Sequence, residues 1–263
     1  MRSYEVLIPR LSQSSKTGRS EWAALFDMLP ASVGLFSPGN MARQGIELLS
    51  NAANTRRFHS VLASTQSHLR DASVPVLINH RDPPSLASPD ELSRSQRRWL
   101  GQLALELYFT QIFRSNVAVV DLWPSHFGVD ETGDAIWSPR PFYLRWDARF
   151  REGLRDVYAG FFLNDRVQFE HGVFELGLNG SADVLVQHFG EGNQRSVRFG
   201  AAELSKTMLG MSKQRGSNDQ ALHPNFIAFG LYLVALHELL ESLDMSFDVR
   251  SAFMRSYPGR SQR

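Results

Sequence analysis

The stretch Val119-Val120-Asp121-Leu122-Trp123-Pro124-Ser125-His126 places a carboxylate and an imidazole five residues apart on one turn-prone segment. A loop carboxylate can accept the proton of an attacking hydroxyl, and a second ligand five residues on addresses the same phosphate. Asp121 is therefore the candidate catalytic residue. A second reading makes Asp121 a structural loop residue whose carboxylate accepts from nearby amides. As a ligand for a hard ion such as Mg²⁺, the imidazole of His126 is a poorer match than an amide or carboxylate oxygen.

Three other sets have the residue types of a site without its spacing. His237-Glu238-Leu239-Leu240-Glu241 begins like a helical zinc motif, but Glu241 stands where the second His is needed. It reads as the solvated edge of a helix whose Leu and Phe stripe is core. Ser14-Ser15-Lys16-Thr17-Gly18 has the letters of a phosphate loop in the wrong order and reads as a flexible loop. Arg94, Arg97 and Arg98 could meet a phosphate or an acidic lipid, but read as the exposed start of a helix. GxSxG, GxGxxG and HExxH are absent, so hydrolase, dinucleotide and zincin readings have no motif.

The elements that must position Asp121 follow from periodicity. Residues 95–113 carry Leu100, Leu103, Ala104, Leu107, Tyr108 and Gln111 on one helical face. Residues 117–120 are a β-branched strand leading into the loop. Residues 127–129 and 135–137 flank Asp130-Glu131-Thr132-Gly133-Asp134 and read as a hairpin. Upstream, residues 4–8 read as a strand, 11–20 as a loop and 21–29 as a helix stopped by Pro30. Residues 37–40 are turn punctuation. A long helix over 41–68 follows, with Leu48, Leu49, Ala52 and Ala53 on its apolar side. A short strand at 74–78 precedes the proline-rich loop 82–89, a point where two lobes could separate. After Asp147 helices dominate, at 147–163, 166–176 and 225–243. A few short strands, then a helical half, make this an α+β pattern rather than an alternating βαβ sheet.

In this order and spacing the chain resembles the UbiB/AarF atypical kinases. Their catalytic loop reads HADPHPGN, with Asp121 here on its Asp, Pro124 on its second Pro and His126 on its metal-binding Asn, so the resemblance implies Pro124 and His126 as cofactor-binding positions. Asn51-Ala52-Ala53-Asn54-Thr55-Arg56-Arg57-Phe58 resembles the family's EAxN-x-x-x-F helix, with Asn51 in place of Glu. Residues 150–160 and 165–178 resemble the helices after the metal loop. Leu243-Asp244-Met245-Ser246-Phe247-Asp248-Val249 resembles the LDxxFDV-type end of the closing helix. The resemblance covers residues 21 onward. It implies a protein-kinase-like fold: a reduced N-lobe over 1–90, a helical C-lobe over 91–257 and a frayed tail over 258–263, in one domain.

The departures bear on activity. Val119 replaces the leading His, and after the hairpin Ile136-Trp137-Ser138-Pro139-Arg140 has no Asp at the metal-binding position. The strand Lys that would pair the phosphates is missing from residues 4–10. The family's nucleotide loop and KxGQ segment lie upstream of anything present, as in an N-terminally truncated member. Phosphoryl transfer rests on positioning and electrostatics, so these losses remove orders of magnitude in rate.

Composition narrows the classes further. The 263 residues are 43% hydrophobic and 21% charged, with formal net charge +1, which suits a globular chain with no polyanionic partner. No basic run alternates with aromatics, so a nucleic-acid interface is not expected. The absence of Cys removes disulfides, thiolate metal sites and thiol nucleophiles. Residues 1–10 lack a signal peptide's features, and the richest apolar window, 226–236, is too short to span a bilayer. A cytoplasmic protein is expected, with a membrane-proximal role implied by the family's link to isoprenoid quinone and lipid pathways.

The functional expectation is a catalytically degenerate UbiB/AarF-like pseudokinase acting as a regulatory or binding module. One alternative keeps residual Mg-ATP binding or ATPase activity through Asp121. The other is a protein-interaction scaffold completed by a partner chain.

Overall fold

The computed structural model describes residues 39, 43, 46, 47, 50, 51, 53–79, 85–178, 196–200, 202–204, 206, 207 and 223–259. The strand, loop and helix expected within residues 1–30 lie outside the described residues, as do Leu48, Leu49, Ala52 and residues 260–263.

Helix α1 (Thr55–Asp71) buries Phe58, Leu62, Thr65 and Leu69, one stripe at helical spacing. It is not the continuation of one long helix over 41–68. Gly39, Arg43, Ile46, Glu47, Ser50 and Asn51 are helical, but Ala53 and Asn54 are not. The Asn54 side chain accepts from the Arg57 amide at 3.0 Å, so an N-cap starts a new helix there. Gly39, expected in a turn, is helical, and Ala53, expected on an apolar side, is exposed.

Strand β1 (Val76–Ile78) lies beside this helix. The Gln66 side chain donates to Val76 O at 3.0 Å and accepts from Ile78 N at 2.9 Å, so one amide stands in for a neighbouring strand. β1 also pairs in parallel with β4 (Ala135–Trp137), which pairs antiparallel with β3 (Phe127–Val129). The β3–β4 hairpin has the expected limits, and its turn sets Gly133 at φ 90, where a side chain would be strained. The Asp130 carboxylate accepts from the amides of Thr132 (2.9 Å) and Asp134 (3.0 Å) to close that turn.

Helix α2 (Arg94–Arg114) opens on a capping box between Ser93 and Gln96. From Leu100 to Phe113 it is buried on almost every side rather than on one face. Its surroundings explain this. α1, strand β2 (Val117–Val119), α3 (Ala148–Leu163), α5 (Phe226–Ser242) and α6 (Val249–Ser256) all pack on it. Its last carbonyls are met by arginines from α3: Arg155 donates to Ile112 O at 3.2 Å and to Phe113 O, and Arg151 to Ser115 O at 3.2 Å. Cations at a helix C-terminus satisfy its orphan carbonyls and oppose its dipole.

Asp147 caps α3, and Asp165 caps α4 (Arg166–Glu175). α3 and α4 pack closely because Gly160 lets the backbone of Phe169 approach; a Cβ at Gly160 would lie 2.6 Å from the Phe169 Cα. β5 (Tyr143–Arg145), not expected from the sequence, pairs antiparallel with β2. A second unexpected ladder joins β6 (Val197–Arg198) to β7 (Ser246–Phe247). The closing segment is therefore α5, β7 and α6, with Asp244 left-handed at φ 48 and Asp248 capping α6. One hydrophobic cluster runs from Phe58 to Phe253, with Tyr108, Phe109, Tyr158, Phe162 and Phe253 in ring contact at its centre. The fold is mixed α+β. Among the described residues no helix is long and apolar enough to cross a membrane.

Candidate functional site

The loop between β2 and β3 is held from two sides. From α2, Gln111 accepts from Val119 N at 2.8 Å and donates to Val119 O (3.2 Å) and the Tyr232 hydroxyl (2.6 Å). A buried strand end has no water to satisfy its amides, so a side-chain amide does so. From the hairpin, Trp137 Nε1 donates to Asp121 O at 2.8 Å, and Ser138 N donates to His126 O at 2.8 Å. His126 N and Phe127 N both donate to Trp123 O, which turns the chain at Pro124 and Ser125.

This frame buries Asp121 to 1% exposure. Its Oδ2 accepts from Arg140 N at 2.7 Å, and its Oδ1 from Arg140 Nη2 at 2.7 Å and Nε at 3.1 Å. His126 Nδ1 lies 3.0 Å from Oδ2. Burial alone would raise the Asp121 carboxyl. The hydrogen bond and charge of His126 and the charge and hydrogen bonds of Arg140 outweigh it and hold the group below its ordinary value. Both oxygens of the carboxylate are thus engaged by cationic or N–H donors. The Arg140 side chain reaches in from the surface, being 32% exposed, and its guanidinium also lies over the Phe142 ring at 5.4 Å.

No protein-family model and no curated protein matches the chain.

The three residues singled out from the sequence therefore lie on one turn, but only Asp121 and His126 touch. Pro124 is half-buried and shapes the turn without a polar contact to offer. Ser125 Oγ is 3.4 Å from His126 Nδ1, the same nitrogen that faces Asp121. A relay needs the two ring nitrogens to serve different partners, so these three residues do not form a Ser-His-Asp triad.

The Mg²⁺ that the kinase resemblance implies does not fit this set. Its best oxygen ligand is already taken up by a guanidinium, and the residue five positions on presents nitrogen. Among the described residues no group of three His, Cys, Asp or Glu could hold a metal ion.

Elsewhere, His237 is not on a solvated edge: it is 3% exposed, with Nδ1 3.2 Å from Gly200 O and its ring against Phe199. Glu241, one turn on, is exposed, which separates the two members of the apparent zinc motif. Arg94 and Arg98 are exposed at the start of α2, as expected, and Arg97 is half-buried. Residues 14–18 lie outside the described residues.

Arg140 is the site residue that a reading of the sequence alone misses. A signal was present. A buried aspartate needs a counter-charge, and no Lys or Arg occurs between Arg114 and Arg140. What a linear reading lacks is the burial of Asp121 itself.

Proposed function

We propose that this chain is a catalytically degenerate, UbiB/AarF-like pseudokinase that acts as a regulatory or binding module rather than as a phosphotransferase. One observation carries the reading: both Asp121 oxygens are held by Arg140, with His126 on the same carboxylate. A general base must reach the proton it removes, and a metal ligand must offer a lone pair to the ion. Asp121 does neither while it is buried against a guanidinium. The order of helix, strand, loop and hairpin supports descent from a kinase-like architecture. A lipid or isoprenoid quinone pathway, and a place beside a membrane, follow from that likeness by analogy alone.

The test is Mg-ATP titration by calorimetry, with thermal melting of the same sample. No heat and no change in Tm at millimolar nucleotide is the expected result. Saturable binding in the micromolar range would raise Tm by mass action and replace this reading with a nucleotide-using one.

A further inference from the structure

We infer that Arg140 is a resident organic cation, built into the loop in the position of charge that a divalent ion would otherwise supply. The inference rests on the pseudokinase reading and concerns what replaced the ion.

Three features of the geometry carry it. The Arg140 guanidinium meets Oδ1 through Nη2 (2.7 Å) and Nε (3.1 Å), while its own backbone N–H meets Oδ2 (2.7 Å). A single residue thereby supplies charge and donors to both oxygens of a carboxylate that is 1% exposed. The imidazole of His126 converges on the same Oδ2 from the loop side at 3.0 Å. A carboxylate with an imidazole nitrogen 3.0 Å away is also a pair that a transition-metal ion can bridge, and the guanidinium stands against it. Finally, Arg140 directly follows buried Pro139, whose fixed φ limits where the next residue can point. The cation is tethered to the hairpin and needs no binding equilibrium, so the Asp121 loop stays closed whatever the metal concentration.

Arg140 is a positioning residue in this assignment, and Mn²⁺ is the probe. Wild-type protein is expected to take up no Mn²⁺, read by the paramagnetic resonance signal of the free ion, and to melt at the same Tm with or without millimolar Mn²⁺. Arg140→Gln keeps N–H donors but removes the charge. It should lower Tm by roughly 5 °C, take up Mn²⁺ and recover part of the loss when the ion is added. The Asp121→Asn, Arg140→Gln double variant should lose the Mn²⁺ response. Arg140→Lys restores a tethered charge and should again ignore Mn²⁺, which decides the matter if Arg140→Gln fails to fold.

Mn²⁺ uptake by wild type or by Arg140→Lys overturns the assignment. So does an Arg140→Gln variant that melts like wild type, or one whose loss Mn²⁺ does not reduce. Heat from Mg-ATP with wild type would instead defeat the pseudokinase reading. Nucleotide bound without any metal response defeats that reading and leaves the resident cation standing.

Discussion

The indole N–H of Trp137 donates to the carbonyl of Asp121 at 2.8 Å, and both residues are almost fully buried. This bond fixes the backbone of the loop to the hairpin independently of the Asp121 carboxylate. Trp137→Phe keeps an aromatic ring but leaves a buried carbonyl without its donor. A loss of about 1–3 kcal/mol in unfolding free energy is expected, read from urea denaturation.

Gln111 carries a larger consequence, since one side chain satisfies Val119 N, Val119 O and the Tyr232 hydroxyl. Gln111→Leu is close in volume yet strands three buried polar groups. About 3 kcal/mol or more should be lost, with faster amide exchange at Val119. A variant as stable as wild type would show that these groups find water instead.

Gly160→Ala tests the α3–α4 contact. The added methyl meets the backbone of Phe169 rather than a side chain that can turn aside. The two helices must separate, at a cost of roughly 2 kcal/mol. The expected readout is a lower urea midpoint with an unchanged helical signal in circular dichroism.

The pH dependence follows from Asp121. In the unfolded chain this group titrates near its ordinary value of 3.8, while in the fold it lies lower. As pH falls, the unfolded chain takes up the proton first. The stabilisation from the Arg140 and His126 contacts is therefore complete above 3.8 and drains away as pH drops through the folded value. Asp121→Asn should be less stable at neutral pH, and its deficit should shrink in acid. A deficit that stays constant from neutral to acidic pH would assign the acid sensitivity to other carboxylates.

How much of this was legible beforehand depends on the range of the interaction. The β3–β4 hairpin was, because alternation and the Gly133 turn lie within one short stretch of chain. The helices after Asp147 were too, since Asp147 and Asp165 stand at their caps. β5 was not: three residues between Pro141 and a helix cap are too few for a period, and only pairing with β2 makes them a strand. Asn54 broke a helix that apolar spacing alone would continue. His237 was misplaced because its polarity outweighed the burial imposed by Phe199 and Gly200, distant in sequence. For the site, the loop and Asp121 were visible, but its state was not, because Arg140 arrives 19 residues later.

The Gln66 amide that borders β1 has a consequence for how the molecule meets other chains. An open strand edge is an invitation to any extended peptide, and many recognition domains accept a ligand by letting it become the next strand. Here both the carbonyl of Val76 and the amide of Ile78 are already spoken for by a side chain of the adjoining helix. A peptide seeking to extend the sheet at β1 would first have to evict Gln66, and a glutamine evicted from a half-buried site must find new partners of its own. The helix thus guards the β1 edge against recruitment by stray strands.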